Sequence, residues 1–336
     1  MIQKLKIALP TGSLNDTARG NTNEFFKTAG YDIEGYEPKK ETKPIVLNQP
    51  FFDVTADRPQ DMPRALSSGI YDVAILGSDW KVESREELVE VLDLKYGNVR
   101  IVAAQKPDEK ATGLDSLLWR YSSDFSVSTE YPTIAADYVK GSETYKKLFG
   151  NADPVIVYSK DQRKGTNLRV KIFPSAGRTE MKIVNSSANL IVEAAQTGET
   201  IRRAGLVEID EIMKSSARLY ATKATLDDGW KRGQIEGLAA MLYGAVRARE
   251  DYFLVAMNVP EEKMGVVAAY LKKEGLCGKE PTVSMPFGGN VAVEAMIPKA
   301  VYPKTIGDLL RLKADDIINI TTGQIVKPFT YGDERK

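Results

Sequence analysis

Asn189-Leu-Ile-Val-Glu-Ala-Ala-Gln-Thr-Gly-Glu-Thr-Ile201 is the stretch on which the reading of this chain turns. An apolar run, Leu190 to Val192, ends in a carboxylate, Glu193. Four residues later Thr197-Gly-Glu-Thr200 leads into a helical pattern from Ile201. A strand, a hydroxyl- and glycine-bearing turn and a helix start make an anion site, because backbone N–H groups point outward there and the helix dipole favours negative charge. Gly198 allows close approach of the backbone, and Thr197 and Thr200 add hydroxyl donors. The bland alternative is a strand, a threonine N-cap and an ordinary surface helix.

Glu193 decides between them. A carboxylate beside a phosphate cradle repels the phosphate, so it needs another task, and vicinal ribose hydroxyls are its natural partners. Phosphate and ribose together are what phosphoribosyl pyrophosphate presents.

Outward from this loop, strands alternate with helices. The pattern predicts strands over 4–9, 51–56, 71–76 and 100–104, with helices over 15–29 and 58–68 and a charged loop over 39–43. A second set has strands over 125–129, 154–158 and 170–173, with a helix over 134–140. Such alternation means parallel sheets covered on both faces. Strands over 207–213 and 218–222 could cross back to the first sheet. A long helix over 230–249 carries Ile235, Leu238, Ala239, Leu242 and Val246 on one stripe. The last section reads strand 252–259, helix 261–274, strands 282–284 and 290–297, helix 302–313 and a strand or hairpin over 316–327. This β-α-β-β-α-β order is the ferredoxin-like pattern, and 329–336 is a frayed tail. Met257, Met264, Met285 and Met296 in this section read as core filler.

Composition narrows the chemistry. The 336 residues suffice for two or three domains, and 46 basic residues balance 46 acidic ones, so no global field draws in nucleic acid. No apolar run approaches membrane-spanning length and the N-terminus enters a strand directly, which reads as soluble and cytoplasmic. One cysteine, Cys277, excludes a disulfide framework and a cysteine-based zinc site. There is no histidine at all, which removes the commonest general base and metal ligand. A chemistry that runs on positioning and electrostatics is left.

Other strand ends supply candidates, each with an ordinary reading beside it. Thr11, Gly12 and Ser13 lie where the first strand meets the first helix, the edge at which open α/β sheets bind ligands, or they form a capped turn. In Gly77-Ser-Asp-Trp80, Asp79 could accept from a ribose or hold Mg²⁺ through water, or be an N-cap. Arg58 could clamp a phosphate, or be a solvated charge. Glu180, in Gly177-Arg-Thr-Glu180, could face the same cleft or sit on a surface turn. Arg202 and Arg203 could raise the positive potential beside the loop or line a charged helix face.

Taken in order, these segments resemble the long form of ATP phosphoribosyltransferase, the committing enzyme of histidine biosynthesis. The resemblance runs through Leu9-Pro-Thr-Gly-Ser-Leu14, Asp72-Val-Ala-Ile-Leu-Gly-Ser-Asp-Trp80, Thr129-Glu-Tyr-Pro132, Glu193-Ala-Ala-Gln-Thr-Gly-Glu-Thr200, Ser215-Ser-Ala-Arg-Leu219, Met257-Asn-Val-Pro-Glu261 and Val291-Ala-Val-Glu294. It implies two lobes like those of periplasmic binding proteins, the first over 1–100 and 222–249, the second over 101–221, and a C-terminal histidine-binding regulatory domain over 250–330. It implies the joining of ATP to phosphoribosyl pyrophosphate with release of pyrophosphate, Mg²⁺ held mainly by substrate phosphates, feedback by histidine and a dimer or hexamer. Its metal ligands on the protein are unknown.

In that scheme Thr197, Gly198, Glu199 and Thr200 hold the 5′-phosphate and Glu193 the ribose, with Glu180 facing the cleft. Thr11, Gly12, Ser13, Arg58, Gly77 and Asp79 line the other lobe. Three departures stand out: Thr11 where the family usually has lysine, Glu193 for aspartate, and no clear counterpart in 35–43 for an arginine, with Lys39, Lys40 or Arg19 as compensation. Thr11 keeps open a catalytically altered or regulatory relative. A solute-binding module on the same fold leaves the Glu193 loop and the last domain unexplained. A chain that makes histidine would also gain by containing none.

Overall fold

In a computed structural model of the chain, residues 3–17, 20–107, 113–175, 177, 179–185, 187–250, 252–276, 281–284 and 288–320 are described. The expectations placed on Arg19, Cys277, Met285 and 329–336 lie outside them, as does Arg178 beside Glu180. Among the described residues no helix is long and apolar enough to cross a membrane.

The chain divides into two compact units, one of residues 1–22, 35–44 and 51–228, the other of 23–34, 45–50 and 229–336. The first unit holds two sheets. In one, Phe52–Asp57, Leu5–Pro10 and Val73–Gly77 run parallel, followed by Ala217–Ala221 and Val89–Asp93, each antiparallel to its neighbour. In the other, the order is Arg163–Lys164, Pro154–Val157, Asn167–Pro174, Phe125–Thr129, Leu190–Ala195, Val99–Gln105 and Val207–Ser215. The central four are mutually parallel and the last two antiparallel. Two parallel-cored sheets give the two α/β lobes that the alternating pattern predicted.

The apolar run of the decisive stretch behaves as its pattern requires. Leu190 and Val192 pack on one face with Leu118, Phe125 and Ile134. Ile191 packs on the other with Ile183, Ile201 and Leu206. All three strand residues are fully buried, because helices cover both faces of this sheet.

The chain passes between the lobes twice, over 94–98 and again at Ser216. The two passages are bonded together: Leu94 N–H donates to the Ala217 carbonyl at 3.0 Å and Ala217 N–H to that of Tyr96 at 2.9 Å. Gly97, in the first passage, has φ +65, and a Cβ there would meet Leu14 Cδ2 at 2.4 Å, so only glycine fits. Of the two late strands expected to cross back, only Ala217–Ala221 does. Val207–Ser215 stays in the second sheet, because its full-length ladder with Val99–Gln105 claims it first. The return therefore falls at 216 rather than at 222.

Three local expectations change. The first helix is Thr22–Thr28, preceded by a 3-10 turn, Gly12–Leu14, and a two-strand hairpin, Asn15–Asp16 with Gly20–Asn21. Thr22 hydroxyl bonds to the Leu14 carbonyl and Tyr96 hydroxyl, both at 2.7 Å, hold that hairpin. Of the charged loop expected over 39–43, Lys39 is in a turn and 40–43 open a strand, Lys40–Val46, paired with Ile33–Glu37. The phosphate-loop helix is short, Glu199–Arg203.

In the second unit the long helix Gly229–Glu250 buries its predicted stripe, with Ile235, Ala239 and Leu242 fully enclosed. It groups here rather than with the first lobe, to which the sequence assigned it. The C-terminal sheet runs Thr282–Val283, Asn290–Pro298, Tyr252–Pro260, Asp315–Ile320, all antiparallel. Helices Met264–Lys273 and Tyr302–Arg311 cover one face, so burial alternates along Asn290–Pro298. The ferredoxin-like order expected from pattern is thus present, with Met257 in its core cluster and Met264 half-buried against it.

Candidate functional site

Within the first unit the carboxyl ends of both sheets face a cavity of about 440 Å³. Its wall brings together Ser13, Gly77, Asp79, Glu180, Glu193 and the turn Thr197, Gly198, Glu199 and Thr200. Thr11, Gly12 and Arg58 stand outside that wall. Thr11 is drawn to the neighbouring strand, where its N–H and hydroxyl both donate to the Asp57 carbonyl, at 2.8 and 3.2 Å. Arg58 is exposed; its backbone N–H donates to Asp57 Oδ1 at 2.7 Å and its carbonyl accepts the Asp61 N–H at 3.0 Å.

Glu193, in the second half of strand Leu190–Ala195, is half-buried in this wall. Its Oε2 is closed off from solvent, and no donor reaches it among the described residues. Burial, followed by the like charges of Glu180 and Glu130, raises its carboxyl from 4.5 to about 7. A buried acceptor without a donor is costly, and a ligand hydroxyl would satisfy it.

Gly198 takes the left-handed conformation, φ +70, directly before the short helix. A Cβ there would fall 2.1 Å from Glu208 Oε1 and 3.2 Å from Arg202 Nη1. Arg100 fixes Glu208 from below by two bonds, at 2.9 and 3.3 Å. Glycine is thus required by backbone conformation and by this ion pair together. Of the two arginines after the loop, Arg202 leans on the turn, while Arg203 pairs with Glu199 at 2.6 Å on the exposed helix face.

Asp79 is different in kind. It is buried at the second position of helix Ser78–Ser84 and is not its cap, since Gly77 holds the N-cap position. Its Oδ1 accepts from the Ser215 hydroxyl at 2.7 Å and its Oδ2 from the Tyr131 hydroxyl at 2.9 Å. Burial and the Asp79 charge hold the Tyr131 hydroxyl far above its usual range, so it remains a donor. The Tyr131 ring packs on Trp80, with centroids 4.7 Å apart. Asp79 therefore joins the first lobe to the second.

Tyr131, Trp80, Ser215, Arg100 and Glu208 were not singled out from sequence. Tyr131, Trp80 and Ser215 lay in quoted motifs, but without a role of their own. The Arg100–Glu208 pair needed the pairing of Val99–Gln105 with Val207–Ser215, which no local pattern announces.

These features define a two-lobed α/β enzyme whose cleft combines an anion-type turn with an unsatisfied acceptor. A family model described as ATP phosphoribosyltransferase matches residues 58–244, and one for the HisG C-terminal domain matches 249–322. The chain belongs to the ATP phosphoribosyltransferase family, in its long form, and is a phosphoribosyl-transferring enzyme. It is 28% identical over 331 residues to ATP phosphoribosyltransferase of Trichlorobacter lovleyi, covering 96% of this chain and 99% of that one. A relative of the same name from Pelotomaculum thermopropionicum is 28% identical over 333 residues, with 96% and 99% covered. The ATP phosphoribosyl transferase (HisG:HisZ) complex from Thermotoga maritima contains a chain of similar fold, with TM-score 0.53 and 18% identity over 71% of this chain and 96% of that one.

Proposed function

We propose that this cavity binds phosphoribosyl pyrophosphate and that the chain transfers its phosphoribosyl group to ring nitrogen N1 of ATP. The observation that carries the assignment is the buried, unpartnered Oε2 of Glu193 in the wall that also holds the Thr197–Thr200 turn. Backbone amides and hydroxyls of that turn take the 5′-phosphate. Glu193 takes the ribose hydroxyls, and Ser13 and Gly77 line the opposite wall.

In the reaction the bond from the anomeric carbon to the pyrophosphate oxygen breaks, its electron pair leaving with pyrophosphate. The N1 lone pair forms the new bond. N1 is neutral and carries no proton, so bond formation needs no general base, which suits a chain without histidine. The protein's share is alignment of the two substrates and a water-poor site for the oxocarbenium-like ribose. Glu193, ionised, would stand beside that developing positive charge.

Mg²⁺ fits these residues as a guest of the substrate. Among the described residues no group of three or more histidine, cysteine, aspartate or glutamate side chains is placed to cage a metal. The like charges of Glu180 and Glu130 nevertheless bear on Glu193, and a cation would relieve that. Glu130 and Glu180 are the carboxylates that could complete the shell of an ion held by pyrophosphate. Such an ion would neutralise charge on the leaving group.

The proposal extends to histidine as a feedback inhibitor acting through the ferredoxin-like domain, to a homo-oligomer and to a cytoplasmic location. Histidine must then bind one conformational state better than another. Pyrophosphate release should require both ATP and phosphoribosyl pyrophosphate, with Mg²⁺, and should fall when histidine is added. Release with either substrate alone, or none with both, would remove the assignment.

A further inference from the structure

Helix Ser78–Ser84 of the first lobe carries two carboxylates four residues apart, Asp79 and Glu83, and therefore on one face. Both reach the second lobe at the same short segment. Asp79 takes the Tyr131 hydroxyl at 2.9 Å. Glu83 accepts the Thr133 N–H on both oxygens, at 2.9 and 3.0 Å, and the Ile134 N–H at 3.0 Å. These are first-turn amides of helix Pro132–Gly141, whose own N-cap residue, Tyr131, makes no side-chain cap bond. Glu83 thus caps a helix of the opposite lobe, and the helix dipole favours its charge there.

The held segment is part of the site. Tyr131 lines the 440 Å³ cavity, and the next residue back, Glu130, accepts the Gly177 N–H at 2.6 Å. Gly177 leads into Thr179 and Glu180, and Glu180 lines the same cavity. The Tyr131 N–H is bonded to Thr129 Oγ1 at 2.8 Å, which leaves the segment little freedom of its own. Its place relative to the Ser13 and Gly77 wall is accordingly set by the first-lobe helix.

We infer that Glu83 is a positioning residue for phosphoribosyl transfer: by capping helix Pro132–Gly141 across the cleft it fixes Glu130 and Tyr131, and through Glu130 the turn before Glu180, against the first lobe. The inference rests on the reading that this cavity takes phosphoribosyl pyrophosphate. Reach matters here rather than net charge. A glutamine keeps the length and one oxygen that can accept both amides, as Oε2 does now, whereas an aspartate keeps the charge and falls a methylene short.

The test compares Glu83→Gln, Glu83→Asp and Glu83→Ala in the full-length protein by steady-state kinetics, with folding checked by circular dichroism. Glu83→Ala and Glu83→Asp should each raise KM for phosphoribosyl pyrophosphate about ten-fold, with KM for ATP changed less than two-fold, and Glu83→Gln should stay within about three-fold of wild type. A merely structural role would lower the melting temperature and leave both KM values of the folded enzyme alone. That outcome overturns the inference, as does full activity in Glu83→Asp with none in Glu83→Gln. If Glu83→Ala fails to fold, the Asp and Gln pair decides alone. Should wild type release no pyrophosphate, the function assignment fails separately. Calorimetric binding of phosphoribosyl pyrophosphate to the same variants then reads the positioning role, and equal affinity throughout overturns it.

Discussion

Two acidic residues share one cavity wall and do opposite things. Asp79 is buried with both oxygens occupied by protein donors. Glu193 is half-buried with one oxygen facing no donor and a carboxyl raised to about 7. From sequence they looked alike, each a carboxylate at the carboxyl end of a strand. The difference teaches how to separate a ligand group from a scaffold group: a satisfied carboxylate holds the protein together, and an unsatisfied one waits for something the protein lacks.

The contrast can be broken by substitution. The largest effect is expected at the loop beside Glu193: Gly198→Val puts a branched side chain at φ +70 and into Glu208, and should lower kcat/KM about a hundred-fold or more. Pyrophosphate-release kinetics on folded protein check it, and near-wild-type turnover would detach the loop from the site. Asp79→Ala should lower stability by about 2–4 kcal/mol, because it leaves the Tyr131 and Ser215 hydroxyls without their acceptor. Urea denaturation reads that directly.

Glu193→Ala should do the reverse, raising KM for phosphoribosyl pyrophosphate roughly ten-fold while the melting temperature holds or rises. If Glu193→Ala melted early and Asp79→Ala did not, the comparison would be inverted. A subtler signature lies in pH. Glu193 binds its proton more tightly in the folded chain than in the unfolded one, so its contribution to stability is greatest below pH 4.5, falls as pH rises toward about 7, and is level above that. Glu193→Gln should flatten this part of the wild-type profile in melting curves taken across that range. Least affected should be Arg85→Ala, which removes an exposed ion pair with Asp137 and should change stability by no more than about 0.5 kcal/mol.

Legibility in the sequence followed the range of the forces. The run Leu190 to Val192 announced a two-sided sheet because burial on both faces leaves no polar position, and the structure buries all three. The β-α-β-β-α-β order of the last section announced its sheet equally well, and Tyr252–Pro260 and Asn290–Pro298 bury alternate residues under its two helices. The hairpin made by Ile33–Glu37 and Lys40–Val46 went unread because lysines and glutamate on an exposed edge imitate a loop. The helix expected from Asn15 was displaced by a hairpin, and Thr22 just after it is held by Tyr96, 74 positions away, a contact no local window contains. At the site, the Glu193 loop was visible because its chemistry is contiguous. The bonds of Asp79 to residues 52 and 136 positions away were not. Arg58 shows the limit of position alone: it sits at a promising place in the sequence, and its side chain is exposed and outside the cavity wall.

The orphan oxygen of Glu193 also has a consequence for the life of the molecule. On the proposed assignment, filling the cavity satisfies it, and ligand at a hundred times its Kd adds about 2.7 kcal/mol to the folded state. Proteases that cleave transiently opened chains sample the unfilled form far more often. A cell short of activated ribose would then clear this enzyme faster than one well supplied, and its abundance would track its feedstock with no dedicated regulator.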